Sequence, residues 1–183
     1  MQLTREVLRN AFIDKLKERN LKIQFEKNSS YILTNGDDRN RIIAVKLIYQ
    51  GMFNKEGPGN HNGNVVNGIG HFLFTFPKWK DKFDFFVFAF LNIKDRAIEF
   101  VIVPNEDLRS RFLHQNRIFT GGKKSKLTLW LMADRRVFET TGLSMEEEYY
   151  FLSSGSGGRM ADGGEMDYTG FLNSWDILNT SLK

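Results

Sequence analysis

Lys46 is the residue in this 183-residue sequence whose setting most invites a chemical role. It stands inside residues 41–49 (RIIAVKLIY), an otherwise apolar run with the length and β-branched content of a strand. An ammonium in the middle of such a strand is desolvated at a cost, snorkels to the surface, or is used. Asp37 and Asp38 lie just upstream, within the strong turn signal Asn35-Gly36-Asp37-Asp38. Carboxylates near a strand lysine are the parts of a metal-dependent phosphodiesterase site. The carboxylates hold Mg²⁺ through oxygen, while the lysine positions or activates water and offsets charge on the scissile phosphate. The competing reading is structural: Lys46 snorkels from an edge strand, and Asp37 and Asp38 only build a turn.

A second group of residues has the chemistry of nucleic-acid contact. In Phe76-Pro77-Lys78-Trp79-Lys80-Asp81-Lys82 the lysines can neutralise phosphates, while Trp79 can stack on an exposed base or pack under the chain. Arg39 and Arg41, Arg117, and the basic turn containing Lys123 and Lys124, with Lys126 beyond it, extend the same character. The formal net charge is +4 and the pI about 9.3, a mild excess that permits a nucleic-acid partner without demanding one.

Other chemistries are excluded by their missing parts. There is no cysteine, which removes disulfides, thiolate catalysis and cysteine-based zinc sites. His61, His71 and His114 lack metal-ligand spacing, and no HExxH occurs. Gly121-Gly122-Lys123-Lys124-Ser125 fails the spacing of a phosphate-binding loop, and the glycine-rich stretches form neither GxGxxG nor a GxSxG nucleophile turn after a strand.

The elements that must position these residues are organised around 83–104 (FDFFVFAFLNIKDRAIEFVIVP). In 83–91 both alternating faces are apolar, so the strand must be covered on both sides and belongs in the middle of a layered domain. A second strand, 97–103, ends at Pro104, which cannot donate to a ladder. Upstream, 4–19 reads as an amphipathic helix capped by Thr4, with Glu6 in its first turn and Leu8, Phe12 and Leu16 on one stripe. Short strands follow at 21–25 and 31–34, before the strand that carries Lys46.

Residues 51–70, dense in Gly and Asn, are expected to form a long loop, with a strand resuming at 72–76. After Pro104, Asn105 can cap a helix with Leu108 and Phe112 on one side and Arg109 and Arg111 pointing away. Residues 126–132 alternate like a strand, and 144–148 read as an acidic helical turn. Residues 153–164 read as a second Gly/Ser loop, and 167–178 as a packed terminal helix. No repeat or linker divides the chain, so one α/β domain over 1–183 is expected, built on a central mixed β-sheet flanked by helices. With 41% hydrophobic and 26% charged residues, no apolar run long enough for a membrane helix and no secretory h-region, the expected setting is cytoplasmic, without membrane.

The order helix, strand, strand with a lysine, long loop, Phe-rich strand, strand ending in Val-Pro, helix resembles the restriction-endonuclease-like PD-(D/E)XK nuclease superfamily. The specific echoes are Ala44-Val45-Lys46 at the (D/E)xK position, the segment 83–112, and the closing FLNSWDIL of 171–178. The resemblance implies a restriction-endonuclease-like fold, DNA as partner, and Mg²⁺-dependent endonuclease activity centred on Lys46. Carboxylates would come from Asp37, Asp38 or Glu6, with Glu26 as a further source, and a homodimer would engage both strands. The sequence departs from the motif at Ala44, where the second acidic ligand would fall, and the preceding strand offers Tyr31, Ile32 and Leu33 in place of the first. Three functions therefore stand side by side: a DNA endonuclease, an inactive DNA-binding or partner subunit on the same scaffold, and a protein-interaction module with no nucleic-acid role.

Overall fold

The computed structural model describes residues 4–34, 42–49, 60–61, 64–76, 81–114, 125–144 and 166–181. It is a mixed α/β structure with few helices, built around a five-stranded mixed sheet. Helix α1 (Arg5–Lys17) is capped as expected, the Val7 N–H donating to the Thr4 hydroxyl at 3.2 Å. Strands β1 (Lys22–Lys27), β2 (Ser30–Thr34) and β3 (Ile43–Tyr49) form an antiparallel meander. The chain then crosses over, and β6 (Phe85–Asn92) pairs parallel to β3, followed by β7 (Ala97–Pro104) antiparallel to β6. The strand order of this sheet is β1-β2-β3-β6-β7.

The crossover carries β4 (Asn60–His61) and β5 (Asn64–Phe74), which join β8 (Ser125–Met132) and β9 (Val137–Glu139) in a second, antiparallel sheet. Residues 64–70 thus belong to a strand, where their glycine and asparagine content had implied a loop. The glycines serve a close approach. A Cβ on Gly68 would stand 2.5 Å from the Leu91 carbonyl oxygen, and one on Gly70 would stand 2.6 Å from the Phe72 ring. A side chain at Gly68 would hold β5 off β6, and one at Gly70 would crowd Phe72 of its own strand and stand 3.3 Å from the Phe90 Cβ of β6, so the composition that mimicked a loop is what lets the sheets meet.

β6 is apolar on both faces because each face has its own core. Phe85, Val87 and Ala89 join Leu8, Phe12 and Leu16 of α1, Ile43, Val45 and Leu47 of β3, and Trp175 and Leu178 near the C-terminus. Phe86, Phe88 and Phe90 face the second sheet, packing with Phe72, Phe74, Leu127 and Leu129. Ring centroids lie 5.1 Å apart for Phe72 and Phe88 and 5.5 Å for Phe74 and Phe88. Helix α2 (Asn105–His114) closes this second core with Leu108 and Phe112. Helices therefore flank the five-stranded sheet, with α1 on one face, while the other face is shared by α2 and a sheet.

The C-terminal segment corrects the expectation of a terminal helix over 167–178. It forms a 3-10 turn (Thr169–Phe171), a bridge from Leu172 to Val101, and then the short helix α3 (Asp176–Ser181). Asn173, at φ 51°, breaks the helical course, yet Trp175 and Leu178 still reach the core. The expected acidic turn at 144–148, all of it but Ser144, and the expected loop at 153–164 lie outside the described residues.

Candidate functional site

The site begins at a hairpin. Asn28 and Ser29 sit at φ 51° and 59°, the paired left-handed conformation of a two-residue turn that matches the twist of its strands. This turn sets β1 against β2 with Lys27 opposite Ser30, and β2 in turn places Ser30 opposite Lys46 of β3. Ile43, Val45 and Leu47 point to the α1 side, so strand alternation turns Ala44, Lys46 and Ile48 to the other face.

Lys46 is buried, at 8% exposure. Its ammonium donates to the Asn28 carbonyl at 2.5 Å and to the Ser30 hydroxyl at 3.1 Å, and lies 5.8 Å from the centre of the Phe83 ring. Burial penalises the charged form and pushes the Lys46 pKa below the ordinary lysine value. The turn is fixed to β3 on the other face as well. There the Ser29 hydroxyl donates to the Tyr49 hydroxyl at 3.0 Å, and the Leu47 N–H donates to the Ser29 carbonyl at 2.9 Å. On that same side Arg9 of α1 grips Glu26 of β1 through two hydrogen bonds of 2.5 and 2.6 Å, which hold the Glu26 carboxyl below its usual range.

Beside Lys46 along β3 is Ala44, at the position where a carboxylate was expected. A carboxylate reaches this place from another strand. The Asp84 side chain accepts from the Ala44 N–H at 2.7 Å, while the Asp84 N–H donates to the Ala44 carbonyl at 2.7 Å. Asp84 also accepts at its own carbonyl from the Asn105 N–H at 2.8 Å, tying the start of α2 to the start of β6. Asp84 and Asn105 border a cleft of about 410 Å³, lined also by Ile42, Ile43, Phe85, Pro104, Glu106 and Asp107. In sequence Asp84 is only an interruption in an apolar run, since its contact with Ala44 depends on the parallel β3–β6 register.

Of the other residues singled out by the sequence, Glu6 is exposed in the first turn of α1, on the sheet face opposite the one that bears Lys46. The structure does not bring these two together. Glu26 is engaged with Arg9 on that same opposite face. Lys82 is exposed in the turn that enters β6, next to Phe83. Asp37, Asp38, Arg39, Arg41, Lys78, Trp79, Lys80, Arg117, Lys123 and Lys124 lie outside the described residues. Among the described residues no three Asp, Glu or His side chains gather as a metal-binding group. No described helix is long and apolar enough to cross a membrane.

A second polar cluster was not legible in the sequence. Glu99 of β7, 4% exposed, is paired with both guanidinium nitrogens of Arg135 and accepts from Asn173 at 2.5 Å and Asn92 at 3.2 Å. Burial alone would raise its pKa. The hydrogen bonds from Arg135, Asn173 and Asn92 and the Arg135 charge outweigh burial and leave it below the usual carboxylate range. Its donors come from the end of β6, the β8–β9 turn and the C-terminal segment, so the cluster is a structural junction. Comparison with known proteins finds no matching family model, no matching curated protein and no matching solved structure.

Proposed function

We propose that this chain acts on DNA as a restriction-endonuclease-like domain, with Lys46 as the cation directed at the phosphodiester backbone. The observation that carries the reading is the placement of Lys46: a buried ammonium on β3, beside the parallel step of a mixed sheet, held by named oxygen atoms. A lysine that only snorkels needs none of that, because its head is solvated by water. A desolvated ammonium with a lowered pKa is a recurrent property of working sites. The mixed sheet and the helix packed against it supply the coarse architecture that the family resemblance implies. Hydrolysis on this reading draws on Asp37 and Asp38 as the carboxylates and on Mg²⁺ as the metal, with a homodimer engaging both strands.

A second reading, an inactive DNA-binding or partner subunit, is favoured by Ala44. The methyl group offers no ligand, and the neighbouring Asp84 carboxylate is engaged by the Ala44 N–H. Purified protein incubated with supercoiled plasmid and Mg²⁺ or Mn²⁺ separates the two. Cleavage that falls on the order of 10²-fold in Lys46→Met supports the endonuclease. Salt-dependent binding of duplex DNA without cleavage supports the second reading. Cleavage at the wild-type rate in Lys46→Met removes Lys46 from the site, and failure to bind DNA even at low salt removes both readings.

A further inference from the structure

We infer that the β1–β2 hairpin turn is the positioning element for Lys46, with Ser30 as the residue that aims its ammonium. The inference rests on the reading of Lys46 as the DNA-directed cation. A lysine carries its charge on a flexible four-carbon stem, and a site that acts on a phosphate needs that charge held within about half an ångström. In this chain the holding atoms come from the neighbouring strand. Ser30 is the register partner of Lys46, so the two side chains stand on one face at cross-strand distance, where a short hydroxyl can reach the end of the lysine.

The second acceptor depends on the turn type. Because Asn28 and Ser29 are both left-handed, the Asn28 carbonyl meets the ammonium at 2.5 Å. The Phe83 ring, 5.8 Å away, bounds the ammonium from the entry to β6. The turn is itself anchored to the lysine's own strand, through the Ser29 hydroxyl to Tyr49 and the Ser29 carbonyl to the Leu47 N–H. Held and holding groups therefore move as one unit, which is what distinguishes a positioned cation from one that rests against the nearest oxygen. Ser30 touches Lys46 and is assigned no contact with DNA; it acts through the lysine.

The test uses the full chain with ¹³C,¹⁵N-labelled lysine, the Lys46 signals being assigned by their loss in Lys46→Met. Ser30→Ala removes the hydroxyl and Ser30→Thr keeps it, with thermal melts confirming that both variants fold. The expected result is that Ser30→Ala displaces the Lys46 ε-carbon and ζ-nitrogen signals and leaves those of Lys82 and Lys94 in place. It should also lower DNA cleavage, or DNA affinity where no cleavage occurs, by about tenfold. Ser30→Thr should recover both. Displaced Lys46 signals with unchanged action on DNA would overturn the positioning role, as would wild-type signals in Ser30→Ala. A wild-type protein that neither cleaves nor binds DNA would overturn the functional reading and the positioning role with it, while the signal shift alone would then report a structural clamp.

Discussion

Glu99 and Lys46 are both buried ionisable side chains with depressed pKa values, so each makes stability rise with pH, in windows far apart. The Glu99 carboxyl is held below its usual range by its donors, so its stabilisation is present above the ordinary glutamate value of 4.5 and is lost as pH falls through the lower, folded value. Glu26, depressed by Arg9, follows the same sign. Glu99→Gln keeps one acceptor and removes the charge facing Arg135, and should destabilise the protein by about 2 kcal/mol at neutral pH. In urea titrations the gap between wild type and variant should begin to narrow as pH drops below 4.5, where the unfolded chain is protonated first, and level off once pH passes the lower, folded value. A gap that stays constant into acid would show that the charge is not what Glu99 contributes. Lys46 has the same sign in a window that ends at 10.5, but its shift is a cost of burial and not a gain from partners. Its folded pKa is depressed, so between that value and 10.5 the unfolded chain binds more protons and stability rises with pH. Raising the pH toward 10.5 should therefore favour wild type over Lys46→Met; a parallel pair of curves would mean that the ammonium is not desolvated.

At the scale of elements, β5 depends on residues that have no side chain. A methyl on Gly68 meets a backbone carbonyl, which cannot rotate away, whereas a methyl on Gly70 meets chiefly the Phe72 ring, which has some freedom. Gly68→Ala should cost about 2 kcal/mol and Gly70→Ala less, read from denaturant midpoints; the reverse order would mean that the β5–β6 approach is not the tight point. The same strand shows where sequence reading reaches its limit. β6 was legible because two apolar faces demand two covers, and α1 was legible from Thr4 and the stripe Leu8, Phe12 and Leu16. The end of β5 was legible too, but its 64–70 part was not, because Gly and Asn signal a loop locally, and the reason for Gly68 is Leu91, a residue of another strand. The candidate site divides the same way. Lys46 stands out as a charge in an apolar run. Its holders Asn28 and Ser30, and the Asp84 carboxylate against Ala44, come from cross-strand register that local patterning does not encode.

At the scale of the whole molecule, the five-stranded sheet is a wall common to two cores, and β6 supplies large side chains to both. Neither core is complete without it, so loss of one should take the other with it. Phe88 is fully buried on the second-sheet side, in ring contact with Phe72 and Phe74. Phe88→Ala should destabilise by about 4 kcal/mol through lost burial and the cavity left behind. Its effect should also be felt at Trp175, which packs on the opposite face of the sheet against Phe12 and Phe100 at 5.8 and 5.1 Å. In a variant retaining Trp175 as its sole tryptophan, fluorescence reports the α1 side alone, while far-ultraviolet circular dichroism reports both sheets. With and without Phe88→Ala, the two signals should change at the same denaturant concentration, as a cooperative all-or-none transition requires. If the α1 side held its fluorescence after the circular dichroism had collapsed, the cores would be separable and β6 would not be the element that joins them. The same coupling reaches Lys46, which stands on this wall one strand from Phe86, its partner in the parallel register. A shared transition would mean that the geometry of the ammonium is underwritten by both cores and is lost only when the whole sheet is lost.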